Sequence, residues 1–200
     1  MFHCIYLAAG FSKRFGGNKL HAIISGQEMY RNVLGRLLEI EKSGHFDLDL
    51  TVVAQEGEIA ERLREEQIPT AVNPDPSRGI SSSLQTGIEF LQSEDKIREG
   101  DYLVFFVADQ PGLKKETIED FLTAAEYSQM PMACVAAEKE PGNPCAFRSD
   151  LVPELMKLQG DRGGKKILKE HPEEVCLFED VLPEELQDFD FRKDLKPDQG

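Results

Sequence analysis

Three basic residues follow a short apolar segment near the amino terminus of a chain that is otherwise acidic. The apolar segment, from Ile5 to Leu7, continues into the small residues Ala8, Ala9 and Gly10. The basic residues are Lys13, Arg14 and Lys19. Small residues let the backbone approach a ligand closely, so that its N–H groups face anionic oxygens while the cations add charge. We expect this stretch to bind a polyphosphate.

The spacing of the glycines excludes two common phosphate-binding motifs. A P-loop requires G-x-x-x-x-G-K-[ST] and a dinucleotide-binding loop requires G-x-G-x-x-G, and Gly10 and Gly16 fit neither pattern. An ordinary glycine-rich turn between a strand and a helix is the alternative. The nearby cations favour the polyphosphate interpretation over that turn.

A carboxylate follows the most apolar segment of the sequence. Residues 104–108 read Val-Phe-Phe-Val-Ala, and Asp109, Gln110 and Pro111 come directly after them. Mg²⁺ prefers oxygen ligands, often takes only one or two carboxylates and completes its coordination with water and substrate phosphates. Asp109 is therefore a candidate metal ligand. The alternative is that it caps the following helix or closes a turn.

A third polar feature combines a proline-rich turn with consecutive serines. Arg78 and Gly79 end the turn, and the serines are Ser81, Ser82 and Ser83. A helix N-cap would explain one of these hydroxyls. A helix amino terminus with free hydroxyl and N–H groups can also hold a nucleobase edge, a ribose or a phosphate. We therefore interpret the serines, with Arg78 and Gly79, as candidate nucleotide contacts.

Short apolar runs alternate with helical patterns along the chain. The predicted strands are 4–9, 50–54, 102–108 and 132–136. Apolar residues recur at helical spacing within 30–38, 59–63, 84–91 and 118–125. This order predicts an α/β fold with a mostly parallel central sheet and right-handed crossovers. Because such sheets bind ligands beyond the carboxyl ends of their strands, Gly10 and Asp109 should converge.

Length and charge restrict the class of protein. The chain has 200 residues, 40% of them hydrophobic, so we expect one domain over 1–195 and a frayed tail over 196–200. A net charge of −14 argues against nucleic acid as a partner, because nucleic-acid binding draws on a broad basic face. No apolar run approaches the roughly 20 residues of a membrane span, and no secretory signal is evident. We expect a cytoplasmic protein with no membrane partner.

The cysteines and histidines suggest neither a metal centre nor a nucleophile. Cys4, Cys134, Cys145 and Cys176 lie far apart without a C-x-x-C pair. Reduced, mostly buried thiols are therefore expected in preference to a zinc site or a disulfide framework. The four histidines share no ligand spacing, and no Ser-His or Cys-His pair stands at a recognisable nucleophile motif.

The amino-terminal stretch resembles the L-A-A-G-x-S-x-R-x-G-x-x-K signature of the MobA-like nucleotidyltransferases. Its fixed positions are filled by Leu7, Ala8, Ala9, Gly10, Ser12, Arg14, Gly16 and Lys19. Residues 109–111 are similar to the D-x-P segment of the same family. The resemblance implies a three-layer, Rossmann-like nucleotidyltransferase fold in which the signature binds a nucleoside triphosphate. It also implies that Arg14 and Lys19 act in catalysis and that Asp109 holds Mg²⁺.

Later segments resemble the molybdenum cofactor cytidylyltransferase (MocA-like) branch of this family. Residues 79–84 are similar to its G-[MI]-S-S-S-L segment, 142–144 to its G-[HN]-P and 160–164 to its G-D-x-G-[AG]. The candidate substrate contacts implied by the resemblance are Gly142, Asn143, Pro144 and Asp161. The alternative is structural: a tight turn at the start of a strand for the first segment, and a cap by Asp161 on a helix over 162–170. For Asp161 we favour the cap.

Residues 188–195 resemble the closing motif D-x-D-T-x-x-D-L of the family, with Phe191 in place of the threonine. In the family pattern an aspartate of this motif completes the metal site, which implies Asp190 and, less directly, Asp188 as partners of Asp109. Without the resemblance, alternating Asp and Phe residues predict a half-buried edge strand with its acids in solvent.

The resemblance implies a CTP:molybdopterin cytidylyltransferase. A phosphate monoester of molybdopterin carrying molybdenum would attack the α-phosphorus of CTP in line, and pyrophosphate would leave. The product, molybdopterin cytosine dinucleotide, would serve a molybdenum hydroxylase, which is the implied protein partner. Ala9 indicates the cytidine branch, since the guanylyl branch tends to have glycine at that position.

Two alternative functions remain open. A transferase of the same fold that acts on another phosphorylated small molecule would share the loop and Asp109, but would not require the segments at 81–83 and 160–164. A carrier that delivers molybdenum cofactor without chemistry would use the same pocket, but delivery requires no metal pair.

Overall fold

The computed structural model describes residues 1–10 and 18–189 of the chain. The predicted contacts that lie outside the described residues are Ser12, Arg14, Gly16, Asp190 and Phe191. The strands are β1 (Phe2–Ala8), β2 (Ile23–Ile24), β3 (Gln27–Glu28), β4 (Leu48–Ala54), β5 (Thr70–Val72), β6 (Tyr102–Val107), β7 (Met132–Ala137), β8 (Glu140–Arg148) and β9 (Val175–Phe178). The helices are α1 (Met29–Ser43), α2 (Glu58–Glu65), α3 (Ile80–Ser93), α4 (Lys115–Ser128), α5 (Val152–Leu155) and α6 (Lys165–Glu170).

Seven strands form one central sheet in the order β5-β4-β1-β6-β8-β7-β9. Strand β1 lies parallel to β4 and β6, β4 to β5, and β7 to β9. Among the strands of the described chain, β8 alone in this sheet runs antiparallel to its neighbours, β6 and β7. The prediction of an α/β fold with a mostly parallel sheet is confirmed.

Strand β8 corrects one expectation from the sequence. Gly142 and Pro144 were expected to mark a tight turn at the start of a strand, whereas both lie within β8. The turn comes earlier, at Glu138 and Lys139, whose φ angles are 52° and 66°. A two-residue turn with positive φ at both positions joins antiparallel strands as a hairpin, so the chain returns directly beside β7.

Apolar side chains cover both faces of the sheet. Along β1, Cys4 and Tyr6 pack with α1, α2 and α4, while Ile5 and Leu7 pack with α3, α5 and α6 on the other face. A parallel sheet buried on both faces requires such continuous apolar runs, which is why the strands could be recognised. The three-layer arrangement is confirmed. Within the described residues, no helix is both long enough and apolar enough to cross a membrane.

The strand register aligns the loops that carry the predicted site. Leu7 pairs with a residue of β4 on one side and of β6 on the other, so the three strands end nearly level. The loops that follow them contain Gly10, Gln55 and Asp109. These three residues therefore leave the sheet at the same edge.

A buried histidine links the opposite ends of the same three strands. His3 Nδ1 lies 2.9 Å from Asp49 Oδ1, and Nε2 lies 3.1 Å from Asp101 Oδ2. Burial by itself lowers the pKa of His3, but the hydrogen bonds and charges of Asp49 and Asp101 outweigh burial and raise the pKa above its ordinary 6.5. The imidazole has a structural role, remote from the loops described above.

Candidate active site

Lys19 and Asp109 meet at the carboxyl edge of the sheet although 90 positions separate them in the sequence. Lys19 Nζ donates a hydrogen bond of 2.8 Å to Asp109 Oδ2, and the lysine side chain is only 9% exposed. A buried ammonium group requires a charged partner, so this carboxylate stabilises the lysine in its place. The structure thus brings together two of the residues that the sequence predicts for catalysis.

Asp109 has the chemistry of a magnesium ligand. Its side chain is 29% exposed, and its Oδ2 atom accepts the hydrogen bond from Lys19. Mg²⁺ needs only one or two carboxylates because water and phosphate oxygens fill its other positions. Within residues 1–10 and 18–189, no group of three or more His, Cys, Asp or Glu side chains could hold a metal ion.

Gln55 fixes the backbone of the amino-terminal loop. Its Nε2 atom donates to the Ala9 carbonyl at 3.0 Å and to the Gly10 carbonyl at 3.2 Å. The C=O and N–H groups of a planar trans peptide point in opposite directions. Because Gln55 holds the Ala9 carbonyl, the Gly10 N–H is directed to the other side of the loop. Among the residues that the structure describes, no atom lies within 4 Å of a Cβ atom built at Gly10.

The carboxyl-terminal segment, residues 183–189, lies against the loop that follows β6. Gln110 Nε2 donates to a backbone carbonyl of this segment at 3.0 Å and to Asp188 Oδ1 at 2.9 Å. The N–H of Phe189 donates to the carbonyl of Asp109 at 2.9 Å. Asp188 is therefore held against Gln110, the residue that follows the predicted metal ligand. Residues 188 and 189 form no strand, and the rest of the segment for which an edge strand is the alternative lies outside the described residues.

Asn73 donates hydrogen bonds to the hydroxyl groups of two of the three serines. Its Nδ2 atom donates to Ser82 Oγ at 2.9 Å and to Ser83 Oγ at 3.0 Å. Helix α3 begins after Gly79 and has no side-chain cap, so the expected capping by serine does not occur. These two hydroxyls build the turn before α3, and a nucleotide would have to compete with Asn73 for them.

Gly79 lies directly against the loop that contains Asp161. A Cβ atom at Gly79 would come within 2.4 Å of the carbonyl carbon of Gly160, and the φ angle of Gly79 is +87°. The N–H of Ser81 donates to the Gly160 carbonyl at 3.2 Å. Two segments that the sequence singles out separately thus form one continuous surface. Arg78 is exposed at its margin.

A cavity of about 360 Å³ opens beside Leu7, on the face of the sheet that α3 and α6 cover. Its apolar lining includes Ile80, Leu84, Phe105 and Cys145. Its basic lining consists of Arg162, Lys165, Lys166 and Lys169. An apolar floor with a basic margin suits a ligand that has an apolar body and an anionic group.

Two of the predicted substrate contacts, Asn143 and Asp161, line this cavity. Gly142 and Pro144 lie on either side of Asn143 in β8. The expected cap by Asp161 is wrong, because α6 begins at Lys165 with no side-chain cap.

The loop before α6 packs closely against an aromatic ring. A Cβ atom at Gly164 would come within 2.7 Å of the Phe147 ring. Gly164 has helical φ and ψ angles of −53° and −28°, and α6 begins at the next residue. Asp161 lies earlier in this loop, at the cavity.

The cysteines form no disulfide bond. All four are free, and Cys4, Cys134 and Cys145 are buried, as the sequence predicts. Burial raises the pKa of the Cys145 thiol well above its ordinary range. The thiol that lines the cavity therefore stays protonated and is a poor nucleophile.

Residues 4–175 match the MobA-like NTP transferase domain. The chain belongs to this family. It is similar to the purine catabolism protein PucB of Bacillus subtilis (strain 168), with 24% identity over 173 residues that cover 82% of this chain and 79% of PucB. The fold is similar to that of a nucleotidyl transferase from Methanothermobacter thermautotrophicus, with a TM-score of 0.75, 21% identity and coverage of 97% of this chain and 94% of that one. It is also similar to molybdopterin-guanine dinucleotide biosynthesis protein A from Archaeoglobus fulgidus, with a TM-score of 0.66, 17% identity and coverage of 96% and 94%.

This nucleotidyltransferase has two candidate binding regions, and both lie next to Leu7 at the end of β1. The amino-terminal loop, Lys19 and Asp109 lie at the edge of the sheet, and the basic cavity lies beside the end of the same strand. Sequence reasoning missed Gln55 and Gln110, which hold the two loops in place. Their positions in the sequence could have indicated this role, because both are polar residues just beyond the ends of central strands.

Proposed function

We propose that this nucleotidyltransferase transfers CMP from CTP to the phosphate of molybdopterin carrying molybdenum, with release of pyrophosphate. The product is molybdopterin cytosine dinucleotide. The basic cavity beside the amino-terminal loop is the observation that carries the proposal, because it offers an anionic acceptor a place next to a bound nucleotide. The Archaeoglobus relative is named for the biosynthesis of a molybdopterin dinucleotide, which supports the choice of acceptor.

The proposed nucleotide site is built on the loop after β1. The Gly10 N–H, directed by Gln55, faces the phosphates, and Lys19 adds positive charge. Ser12 and Arg14 are proposed to contact the same phosphates. Their positions in the family signature support this assignment.

The proposal of CTP rests on Ala9. A methyl group at this position leaves less room than the glycine of the guanylyl branch, and a pyrimidine needs less room than a purine. Arg78, Gly79 and the start of α3 are proposed to approach the nucleotide from the opposite side.

In the proposed reaction, an oxygen of the acceptor phosphate attacks the α-phosphorus of CTP. The bond from this phosphorus to its bridging oxygen breaks, and pyrophosphate leaves with the electron pair. Lys19 stabilises the charge that develops on the phosphate oxygens, without transferring a proton. Mg²⁺ held by Asp109 and Asp190 would supply further neutralisation of the same oxygens.

The cavity is proposed to hold the acceptor. Two anions must approach one another for the phosphate to attack, and Lys165 and Lys166 reduce their repulsion. The apolar floor at Phe105 and Leu84 can receive the body of the pterin. A molybdenum hydroxylase is the proposed recipient of the product.

Pyrophosphate release by the purified protein tests the proposal. Mg²⁺ and molybdopterin cofactor are supplied with CTP, GTP, ATP or UTP in parallel. We expect release that depends on both the cofactor and CTP. Release with a different nucleotide or a different phosphorylated acceptor would assign the protein to another branch, and tight cofactor binding without release would identify a carrier.

A charge-reversal variant tests the placement of the acceptor. Lys165→Glu should raise the KM for the cofactor about tenfold while the KM for CTP changes little, because the change lies in the cavity. Lys42→Glu, at an exposed lysine in the last turn of α1, provides the matched control. Equal effects of both variants on the cofactor KM would contradict the placement.

A further inference from the structure

Gln110 is a buried amide whose donors face the carboxyl-terminal segment. Its side chain is 4% exposed, and Nε2 reaches both the Leu186 carbonyl at 3.0 Å and Asp188 Oδ1 at 2.9 Å. The next residue back in the chain, Asp109, accepts the N–H of Phe189 through its carbonyl at 2.9 Å. The loop that carries the predicted metal ligand and the carboxyl-terminal segment are thus joined by three hydrogen bonds, made by the backbone of Asp109 and the side chain of Gln110.

The carboxyl-terminal segment has a separate anchor a few residues earlier. The Glu185 carboxylate is buried and accepts hydrogen bonds from Lys114 N at 3.0 Å, Lys114 Nζ at 3.0 Å and Thr117 Oγ1 at 2.7 Å. Gly112 lets the chain approach, since a Cβ atom there would come within 2.9 Å of the Glu184 carbonyl oxygen. This anchor attaches the segment to the start of α4 without help from Gln110.

The contact between Gln110 and Asp188 therefore has a more specific consequence than attachment. Asp188 directly precedes Phe189, whose N–H binds the Asp109 carbonyl, so the segment brings Asp188 to the loop that carries Asp109. An amide that donates to Asp188 fixes the direction of its carboxylate oxygens at this loop without adding a competing positive charge.

We propose that Gln110 is a positioning residue that fixes Asp188 at the loop of Asp109 and thereby sets the metal affinity of the active site. The proposal rests on the proposed function and deepens it. Gln110 itself touches neither nucleotide nor metal. The active site is consequently assembled from three parts of the chain: the amino-terminal loop with Lys19, the loop after β6, and the carboxyl-terminal segment.

Substitution of Gln110 by glutamate provides a sharp test, because the side chains have the same shape. Gln110→Glu removes the donor and places a negative charge beside Asp188. Gln110→Met removes the donor without adding charge. A matched control is available in Gln85, whose Nε2 donates to the Met156 carbonyl at 3.0 Å and to the Leu158 carbonyl at 2.9 Å. Gln85→Glu makes the same chemical change on the other face of the sheet.

Mn²⁺ binding is measured by the electron paramagnetic resonance signal of the free ion, with CTP present and no acceptor, so that no turnover occurs. We expect Gln110→Glu to weaken Mn²⁺ binding at least tenfold and Gln110→Met to weaken it less. Gln85→Glu should bind Mn²⁺ within twofold of the wild type. In the transfer assay, a high Mn²⁺ concentration should restore activity to both Gln110 variants.

The outcomes separate this inference from the proposed function. Wild-type Mn²⁺ affinity in both Gln110 variants would overturn the inference, as would an equal loss in the Gln85 control, which would indicate general destabilisation. Wild-type protein that binds Mn²⁺ with CTP but transfers nothing to molybdopterin would refute the proposed function alone. Wild-type protein that binds no Mn²⁺ would overturn both.

Discussion

Removal of the Asp109 carboxylate should separate the effects on activity and on stability. Asp109→Ala deletes the partner of Lys19, whose Nζ lies 2.8 Å from Asp109 Oδ2. At that distance and an effective dielectric constant of about 20, the gross attraction is roughly 6 kcal/mol. Desolvation of the two groups offsets most of this, which leaves a net loss of about 2 kcal/mol in the free energy of unfolding. The fold should therefore survive, because Asp109 lies at a strand end and outside the apolar core.

The loss of activity should be much larger. We expect the transfer rate to fall by at least 10³-fold, about 4 kcal/mol, because a metal ligand and the fixed position of Lys19 are lost together. A double-mutant cycle with Lys19→Met separates these contributions. The double variant should regain about 1 kcal/mol of the stability lost in Asp109→Ala, since it no longer buries an ammonium group from which the Asp109 carboxylate has been removed.

Chemical denaturation and pyrophosphate release under identical conditions provide the two measurements. Wild-type transfer by Asp109→Ala would refute the assignment of this carboxylate to the metal. A double variant that is no more stable than Asp109→Ala would show that the ammonium of Lys19 does not depend on Asp109.

Three further changes test other parts of the structure. Gln55→Met should raise the KM for CTP about tenfold with a small change in kcat, because one oriented loop peptide is lost; an unchanged KM would contradict its role. Gly79→Ala should lower the free energy of unfolding by about 3 kcal/mol, since its positive φ and the loop behind it exclude a Cβ atom, and wild-type denaturant stability would contradict this. Because Asp49 and Asp101 raise the pKa of His3, its stabilising charge is fully present below the ordinary value of 6.5 and is lost as pH rises through the folded-state pKa. The melting temperature of the wild type should accordingly decline as pH rises above 6.5, and that of His3→Gln should not. Parallel declines of the two melting temperatures would exclude His3 as the cause.

The layers of the fold could be predicted because the buried strands are short, continuous apolar runs. Strand β8 was harder to predict, since Gly142 and Pro144 are ordinary turn residues and only the hairpin before them reveals the direction of the strand. The short strands β5 and β9 offer too few residues for any periodic pattern. The single domain over 1–195 remains a prediction.

The convergence of the loops that carry Gly10 and Asp109 could be predicted because parallel strands deliver their following loops to one edge, whereas the ion pair of Lys19 with Asp109 was not predicted. The contacts of Gln55 and Gln110 could not be predicted. A hydrogen bond between a side chain and a distant backbone carbonyl depends on tertiary packing, which leaves no local pattern in the sequence. The same applies to Ser82 and Ser83, whose hydroxyls face Asn73. The helix cap by Asp161 was predicted wrongly. No residue near Asp161 in the sequence indicates that the loop before α6 packs against the Phe147 ring.

The anchor at Glu185 also bears on the order in which a nascent chain can mature. Helix α4 leaves the ribosome well before Glu185 is synthesised, so the first turn of α4 must wait for the acceptor that later binds Lys114 and Thr117. A chain that ends before this point can already form β1, β4, β5 and β6, with Asp109 at their edge. It still lacks the closing acids. If the closing acids take part in the proposed reaction, nucleotide transfer would then begin only after the carboxyl-terminal segment has been synthesised, well after the central strands.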